Sequence, residues 1–304
     1  MLLLWTNSVL AALVNFIIRL IALLPLGVVR FIGSMIGALA WLFNPSVTKI
    51  TRKNIELCFP MLSAKERANL VRRSMMESGI TSIELLKVWG TPWETLESSV
   101  VNVYGRELVE GAVAANKGVL LIAPHLGNWE ALGYYIAKTI QAPTILYKPP
   151  KRPELESIIV AARSKLGTKI VPTNARGVMA IYKSLRKGGL TAILPDQEPD
   201  DDNSGLFADF FGQPAFTMKL IHSLGNKSGS KLLMTVALRV EGGFDIHFIE
   251  PDADMYSSDE AIAVAALNRS VEAAVMMAPA QYQWDYKRFK TQPDATLKLY
   301  KGAK

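Results

Sequence analysis

Between residues 118 and 194 short apolar runs alternate with longer amphipathic stretches, and this alternation limits the fold more than any other feature of the chain. The runs 118–123, 144–148, 168–172 and 190–194 have strand character, while 129–140, 153–166 and 176–187 carry helical spacing. Strands separated by helices must be joined by crossovers, which lay the strands parallel and put the helices on the faces of the sheet. The expectation is an α/β fold with a mostly parallel central sheet and helices on both faces. Upstream, Ser63-Ala64-Lys65-Glu66 is a capping-box pattern opening a helix to about Trp89, and Thr91-Pro92 stops it. A strand at Val100–Tyr104 and a helix at Arg106–Ala115 follow. Downstream, Asp196–Pro214 reads as a long functional loop. After it come a helix at 217–225, a hairpin of 231–240 and 244–250 around Gly242-Gly243, and a last helix from Asp259 to Met277.

The N-terminus differs in composition. Met1–Val29 holds a single charged side chain, Arg19, and is long enough to span a bilayer. No basic run precedes the apolar stretch and no cleavage site follows it, so it reads as an anchor rather than a secretory signal. A helix lying in the interface is the other reading. Phe31–Phe43 is shorter and suits an interfacial segment. Lys49, Arg52 and Lys53 then place the rest of the chain on the cytoplasmic side. This predicts a membrane anchor and interfacial segment at 1–44 and a catalytic domain at 45–304.

Charge is uneven. With 34 basic against 27 acidic residues the excess is modest, but Pro45–Arg73 holds seven Lys or Arg against two Glu. Such a surface favours a membrane, a phosphorylated lipid or an acidic carrier protein. Nucleic-acid binding has only the charge in its favour, and the apolar anchor argues against it. A single cysteine, Cys58, excludes an internal disulfide and fits a reducing compartment.

The chemistry centres on Val119–Glu130, where an apolar run ends in Pro124-His125-Leu126-Gly127-Asn128-Trp129-Glu130. On one continuous helix, His125 and Glu130 would point about 140° apart. The better reading puts His125 on the loop after a strand and Glu130 in the first turn of a helix capped by Asn128, so that the carboxylate reaches back to the ring. An imidazole so oriented can take a proton from a substrate hydroxyl. No serine-elbow motif offers a protein nucleophile, which points to direct attack by the activated hydroxyl. The same spacing serves a buried histidine that merely bonds a nearby carboxylate, and spacing alone does not separate the two.

The motif His-Leu-Gly-Asn-Trp-Glu resembles the His-x4-Asp/Glu signature of glycerolipid acyltransferases, in the form found in the late lipid A acyltransferases. The likeness continues through Tyr147-Lys148-Pro149, Leu194-Pro195-Asp196-Gln197, Phe210-Phe211-Gly212, Ala278-Pro279-x-Gln281-Tyr282-x-Trp284 and Lys287-Arg288-Phe289-Lys290. It implies a glycerolipid acyltransferase-like fold and His125–Glu130 as the catalytic pair. It also implies an acyl-acyl carrier protein donor, no cofactor or metal, and as acceptor the hydroxyl of a 3-hydroxyacyl chain on a lipid A precursor. The enzyme would sit at the inner membrane among its phospholipids, with its catalytic domain facing the cytoplasm. Arg163 matches a family arginine suited to phosphate or a developing oxyanion, for which backbone N–H groups near Gly127–Asn128 are the other candidates. The chain departs from the family at Tyr286, where many members have His.

Other residues carry weaker signals. His125, Lys148 and Asp196 each follow a strand, and in a parallel sheet ligands collect at the strands' carboxyl ends. Lys148 and Asp196 are therefore candidate substrate-binding residues. Lys151 and Arg152 read as surface and Arg176 as a lesser candidate. Phe207, Phe210 and Phe211 suit either the wall of an acyl channel or core. Asp200-Asp201-Asp202 resembles the metal site of a glycosyltransferase, or else a solvated loop, and His222 and His247 have no ligand spacing. A phospholipid or phosphatidylinositol mannoside acyltransferase and a non-catalytic lipid-binding module are the remaining alternatives.

Overall fold

The computed structural model describes residues 2–150 and 156–302. Lys151, Arg152 and the start of the helix expected at 153 lie outside the described residues. The central sheet is built on β2 (Val119–Ile122), which pairs in parallel with β5 (Leu190–Ile193) on one side and with β8 (Lys231–Val240) on the other. Strand β9 (Gly243–Ile249) returns antiparallel to β8, and β1 (Val100–Tyr104) closes the edge parallel to β9, giving the order β1-β9-β8-β2-β5.

All four residues of β2 are fully buried, as a strand covered on both faces requires. Val119 and Leu121 pack into a core with α5 (Trp93–Glu97), α6 (Arg106–Ala114) and α7 (Trp129–Thr139). Leu120 and Ile122 pack into the opposite core with α9 (Ala175–Leu185), α10 (Leu220–Ser228) and α11 (Glu260–Met277). The mixed, parallel-rich α/β architecture expected from the alternation is present. Three details differ. Strands β3 (Thr144–Tyr147) and β4 (Lys169–Pro172) form their own parallel pair, joined to β5 where Thr191 Oγ1 donates to the Thr144 carbonyl. Helix α8 (Glu156–Ser164) links the two. The expected loop Asp196–Pro214 contains β6 (Gly205–Phe210), which turns into β7 (Gln213–Met218) as an antiparallel hairpin.

The third difference is at the N-terminus. Helix α1 (Leu2–Leu23) stops before Pro25, which cannot continue it, and α2 (Leu26–Phe43) begins afresh. The apolar segment expected to run to Val29 is therefore two helices. Helix α2, with a mean hydropathy of 1.8, is by itself long and apolar enough to cross a membrane. One side of α2 lies tight on α4 (Ala64–Gly90), because Gly33 and Gly37 face Gly79; a Cβ at Gly37 would stand 2.1 Å from the Met75 carbonyl oxygen. The other side leaves Val28, Phe31, Met35, Leu39 and Leu42 exposed, as are Phe16 and Leu20 of α1. Helix α3 (Ser46–Cys58) then leads into α4, whose Ser63–Glu66 capping box forms as expected.

Candidate active site

His125 stands three residues beyond the end of β2, and Asp196 three residues beyond the end of the neighbouring β5. Because Ile122 and Ile193 are in register, the two residues meet at the carboxyl edge of the sheet. Asp196 holds His125 twice: one oxygen lies 2.8 Å from Nδ1 of the ring, and the other accepts the backbone N–H of His125 at 2.9 Å. Burial works to raise the Asp196 carboxyl, but the charge and hydrogen bonds of His125 outweigh it and hold the group below the usual carboxylate range. A carboxylate on Nδ1 fixes the proton there and leaves Nε2 as the free base. Among the described residues, the side chain within hydrogen-bonding reach of Nε2 is Gln197, whose amide nitrogen lies 3.4 Å away.

The loop itself is stitched into place. The His125 carbonyl accepts from the Gln283 N–H, the Gly127 N–H donates to the Gln281 carbonyl, and the Asn128 N–H donates to the Ala237 carbonyl of β8. Gly127 has φ of 66°, and a Cβ there would come within 2.0 Å of the Ala237 oxygen, so no other residue fits. Asn128 caps α7 as expected, accepting the Ala131 N–H, and its amide donates to Glu84. Glu84, fully buried, also accepts from Arg30 of α2 and from Arg239 of β8; Arg239 in turn donates to the Gly127 carbonyl. A buried network thus ties the N-terminal apolar helix to the histidine loop.

Two expectations need correcting. Glu130 does not reach the His125 ring. Its carboxylate is buried on the far side of Trp129, where one oxygen accepts Nε and Nη2 of Arg163 at 3.0 and 2.5 Å and the other accepts Nε1 of Trp89 at 2.9 Å. The first turn of α7 turns Glu130 towards α4 and α8, so the carboxylate that meets the ring comes from a different strand. The backbone N–H groups of Gly127 and Asn128 are also committed to carbonyls and leave no donor for an oxyanion.

Trp129 packs edge-on against His125 at 4.9 Å between ring centres and divides two cavities. On the Glu130 side a pocket is lined mostly by apolar side chains, among them Leu132, Ile136, Ile145 and Leu194. On the His125 side a second cavity is lined mostly by polar residues, among them Thr81, Ser82, Gln283 and Asp285, together with Leu85 and Trp129.

Comparison with known proteins decides the family. A model of the bacterial lipid A biosynthesis acyltransferases matches residues 1–291. The lipid A biosynthesis palmitoleoyltransferase of Escherichia coli K12 is 31% identical over 91% of this chain and 90% of its own length. The lauroyltransferase of the same organism is 27% identical over 93% and 92%, and its myristoyltransferase 23% identical over 82% and 76%. The chain belongs to the bacterial lipid A biosynthesis acyltransferases. It is an acyltransferase.

Within this family member the other sequence candidates fall as follows. Lys148 is exposed and paired with Asp200, away from the ring contacts just described. Asp201 caps a short turn by accepting from Asn203 and Ser204, and among the described residues no group of three His, Cys, Asp or Glu side chains converges to hold a metal ion. Arg176 is exposed at the start of α9. Phe210 and Phe211 join Phe59, Tyr282 and Trp284 in an aromatic cluster of the core, and Phe207 packs on Phe216. His222 contacts the Ser257 carbonyl, and His247 stacks on Tyr104, burial lowering its pKa. Cys58 is buried, and burial together with Glu272 pushes its thiol upward, which keeps it un-ionised. Tyr286 secures the loop beyond Asp196, its hydroxyl accepting the Glu198 N–H at 2.9 Å.

Proposed function

We propose that this enzyme transfers a fatty acyl chain from an acyl-carrier-protein thioester to a hydroxyl on a 3-hydroxyacyl chain of a lipid A precursor, on a glycerolipid acyltransferase-like scaffold. The observation that carries the mechanism is the contact of Asp196 with Nδ1 of His125. Nε2 of His125 takes the acceptor hydroxyl's proton, displacing the Gln197 amide from its lone pair. The acceptor oxygen forms the new ester bond at the thioester carbonyl, the C–S bond breaks, and the departing thiolate takes the proton back from the imidazolium. No covalent acyl-enzyme forms. The freed Gln197 amide then donates to the developing oxyanion. Glu130 and Arg163 act as positioning residues, clamping α7 to α8 beside the apolar pocket, which takes the acyl chain.

The exposed apolar sides of α1 and α2 support seating at the inner membrane, and Lys49, Arg52, Lys65, Arg72 and Arg73 lie exposed on α3 and α4, a basic surface for lipid phosphates or an acidic carrier protein. The catalytic domain then faces the cytoplasm. The glycosyltransferase reading loses its main support, because Asp200 and Asp201 are committed to Lys148 and to a turn.

An acyl-transfer assay in detergent, offering a lipid A precursor in one arm and a lysophospholipid in the other, tests the proposal. Transfer to the precursor that falls about 10²–10⁴-fold in His125→Ala supports it. Transfer to the lysophospholipid alone, or undiminished transfer by His125→Ala, rejects it. Without acceptor, water takes the hydroxyl's place, and the wild type is expected to hydrolyse the thioester slowly. Release of free acid no faster than from His125→Ala would contradict that expectation.

A further inference from the structure

We propose that the polar cavity beside His125 is the acceptor subsite and that it selects an acceptor carrying hydrogen-bond donors next to the reacting hydroxyl, received by Gln283 Oε1 and Asp285 Oδ1. The inference rests on the acyl-transfer reading above and adds which side of Trp129 takes which substrate, and by what chemistry.

Four features of the cavity carry it. Gln283 and Asp285 both line the cavity, while Trp284 between them is buried in the aromatic core. The Gln283 N–H is bonded to the His125 carbonyl at 2.9 Å, which fixes this segment against the catalytic loop. Gln283 Oε1 and Asp285 Oδ1 are both buried and have no hydrogen-bond partner among the described residues. Leaving one such acceptor unsatisfied costs about 1–3 kcal/mol, so two within one cavity next to the general base mark a place where donors arrive from outside.

The facing wall has the same polarity. Thr81 Oγ1 donates to the Glu77 carbonyl and Ser82 Oγ to the Ser78 carbonyl, so both hydroxyl protons are committed to α4 and only lone pairs face the cavity. Burial raises the Asp285 carboxyl, opposed by its own backbone N–H and by the charge of His125. The unpartnered oxygens of Gln283 and Asp285 favour a ligand that brings O–H and N–H groups to them over a phosphate or carboxylate. A hydroxyacyl chain on an amino sugar presents both close to the reacting hydroxyl: an amide N–H from its linkage and the hydroxyls of the ring. The apolar pocket across Trp129 is left to the donor's hydrocarbon chain.

The test is steady-state transfer from an acyl-carrier-protein thioester to two synthetic acceptors, a 3-hydroxyacyl chain joined to glucosamine through an amide and the same chain joined through an ester. Gln283→Ala, Asp285→Ala and Asp285→Asn are compared with wild type, each checked for an unchanged melting temperature. In both alanine variants the acceptor KM is expected to rise by about 3–10-fold while the donor KM stays within about twofold, the loss of one ordinary hydrogen bond. Asp285→Asn, which keeps a carbonyl oxygen, recovers most of the loss. A rise confined to the amide acceptor identifies the linkage N–H as the recognised donor, and an equal rise for both identifies a sugar hydroxyl. An acceptor KM unchanged in both alanine variants, with wild-type transfer intact, overturns the inference. Absence of transfer by wild type to either acceptor overturns the acyl-transfer reading beneath it.

Discussion

The two sides of Trp129 use a buried carboxylate in opposite ways. On one side Asp196 grips a histidine and leaves Nε2 free to accept a proton. On the other Glu130 is held by Arg163 and Trp89, away from the histidine. The Asp196 side opens to a polar cavity and the Glu130 side to an apolar one. Motif spacing names His125 and Glu130 together because they share a loop and a helix start, yet their side chains serve different neighbourhoods. The lesson is that proximity along the chain locates a site without telling which residues touch inside it.

Perturbing each side should separate them. The largest effect is expected from Asp196→Asn, which removes the charge from Nδ1 and should lower kcat by about 10²–10⁴-fold with little change in either KM, read from transfer kinetics. Glu130→Gln should act through the scaffold instead. It weakens charge-assisted bonds to a partly buried Arg163, so thermal or denaturant unfolding should show a loss of about 1–3 kcal/mol, with catalysis falling only as α7 loosens. Restoring rate by adding a stabilising osmolyte would sharpen the contrast, since Asp196→Asn should not respond.

The apolar side can be probed without disturbing the pair. Gly133 lies in α7 on the pocket wall, and a Cβ added there meets nothing within 4 Å. Gly133→Leu should fill the pocket and shift preference to shorter acyl chains. Each methylene denied burial is worth about 0.8 kcal/mol, or roughly fourfold in kcat/KM, measured across donors of graded length. The smallest effect concerns acid stability. The Asp196 carboxyl is held below its unfolded value of 3.8, so its contribution is present above that value and is lost as pH falls further, through the lower folded one. Wild type should therefore lose stability more steeply than Asp196→Asn in that acid window, as followed by denaturant titrations at stepped pH.

Much of the fold was legible because local rules governed it. The Ser63–Glu66 box, the Asn128 cap and the period-two and helical runs around β2 and β5 all form where the residues place them. The partner of His125 was legible only in principle. Asp196 is 71 residues away, and the signal lay in two strand ends, Ile122 and Ile193, that are level only once β2 and β5 are known to be neighbours. The β6–β7 hairpin was hidden because Asp200–Asp202 and Gly205 dominate the composition of a segment whose strands have few apolar residues in alternation. The break at Pro25 was overlooked because hydropathy averages across it. Glu84 and Arg239, which hold the catalytic loop from α4 and β8, carry no motif at all; their pairing is a product of packing.

The most direct test of the claim that Asp196 works on His125 is the ring tautomer, read by nitrogen-15 NMR of protein labelled at its three histidines, with His125→Ala to assign the signal. With the ring neutral, wild type and Glu130→Gln should both show the proton on Nδ1, and Asp196→Asn should lose that preference. A tautomer unchanged in Asp196→Asn but altered in Glu130→Gln would return the orienting role to Glu130 and contradict the account.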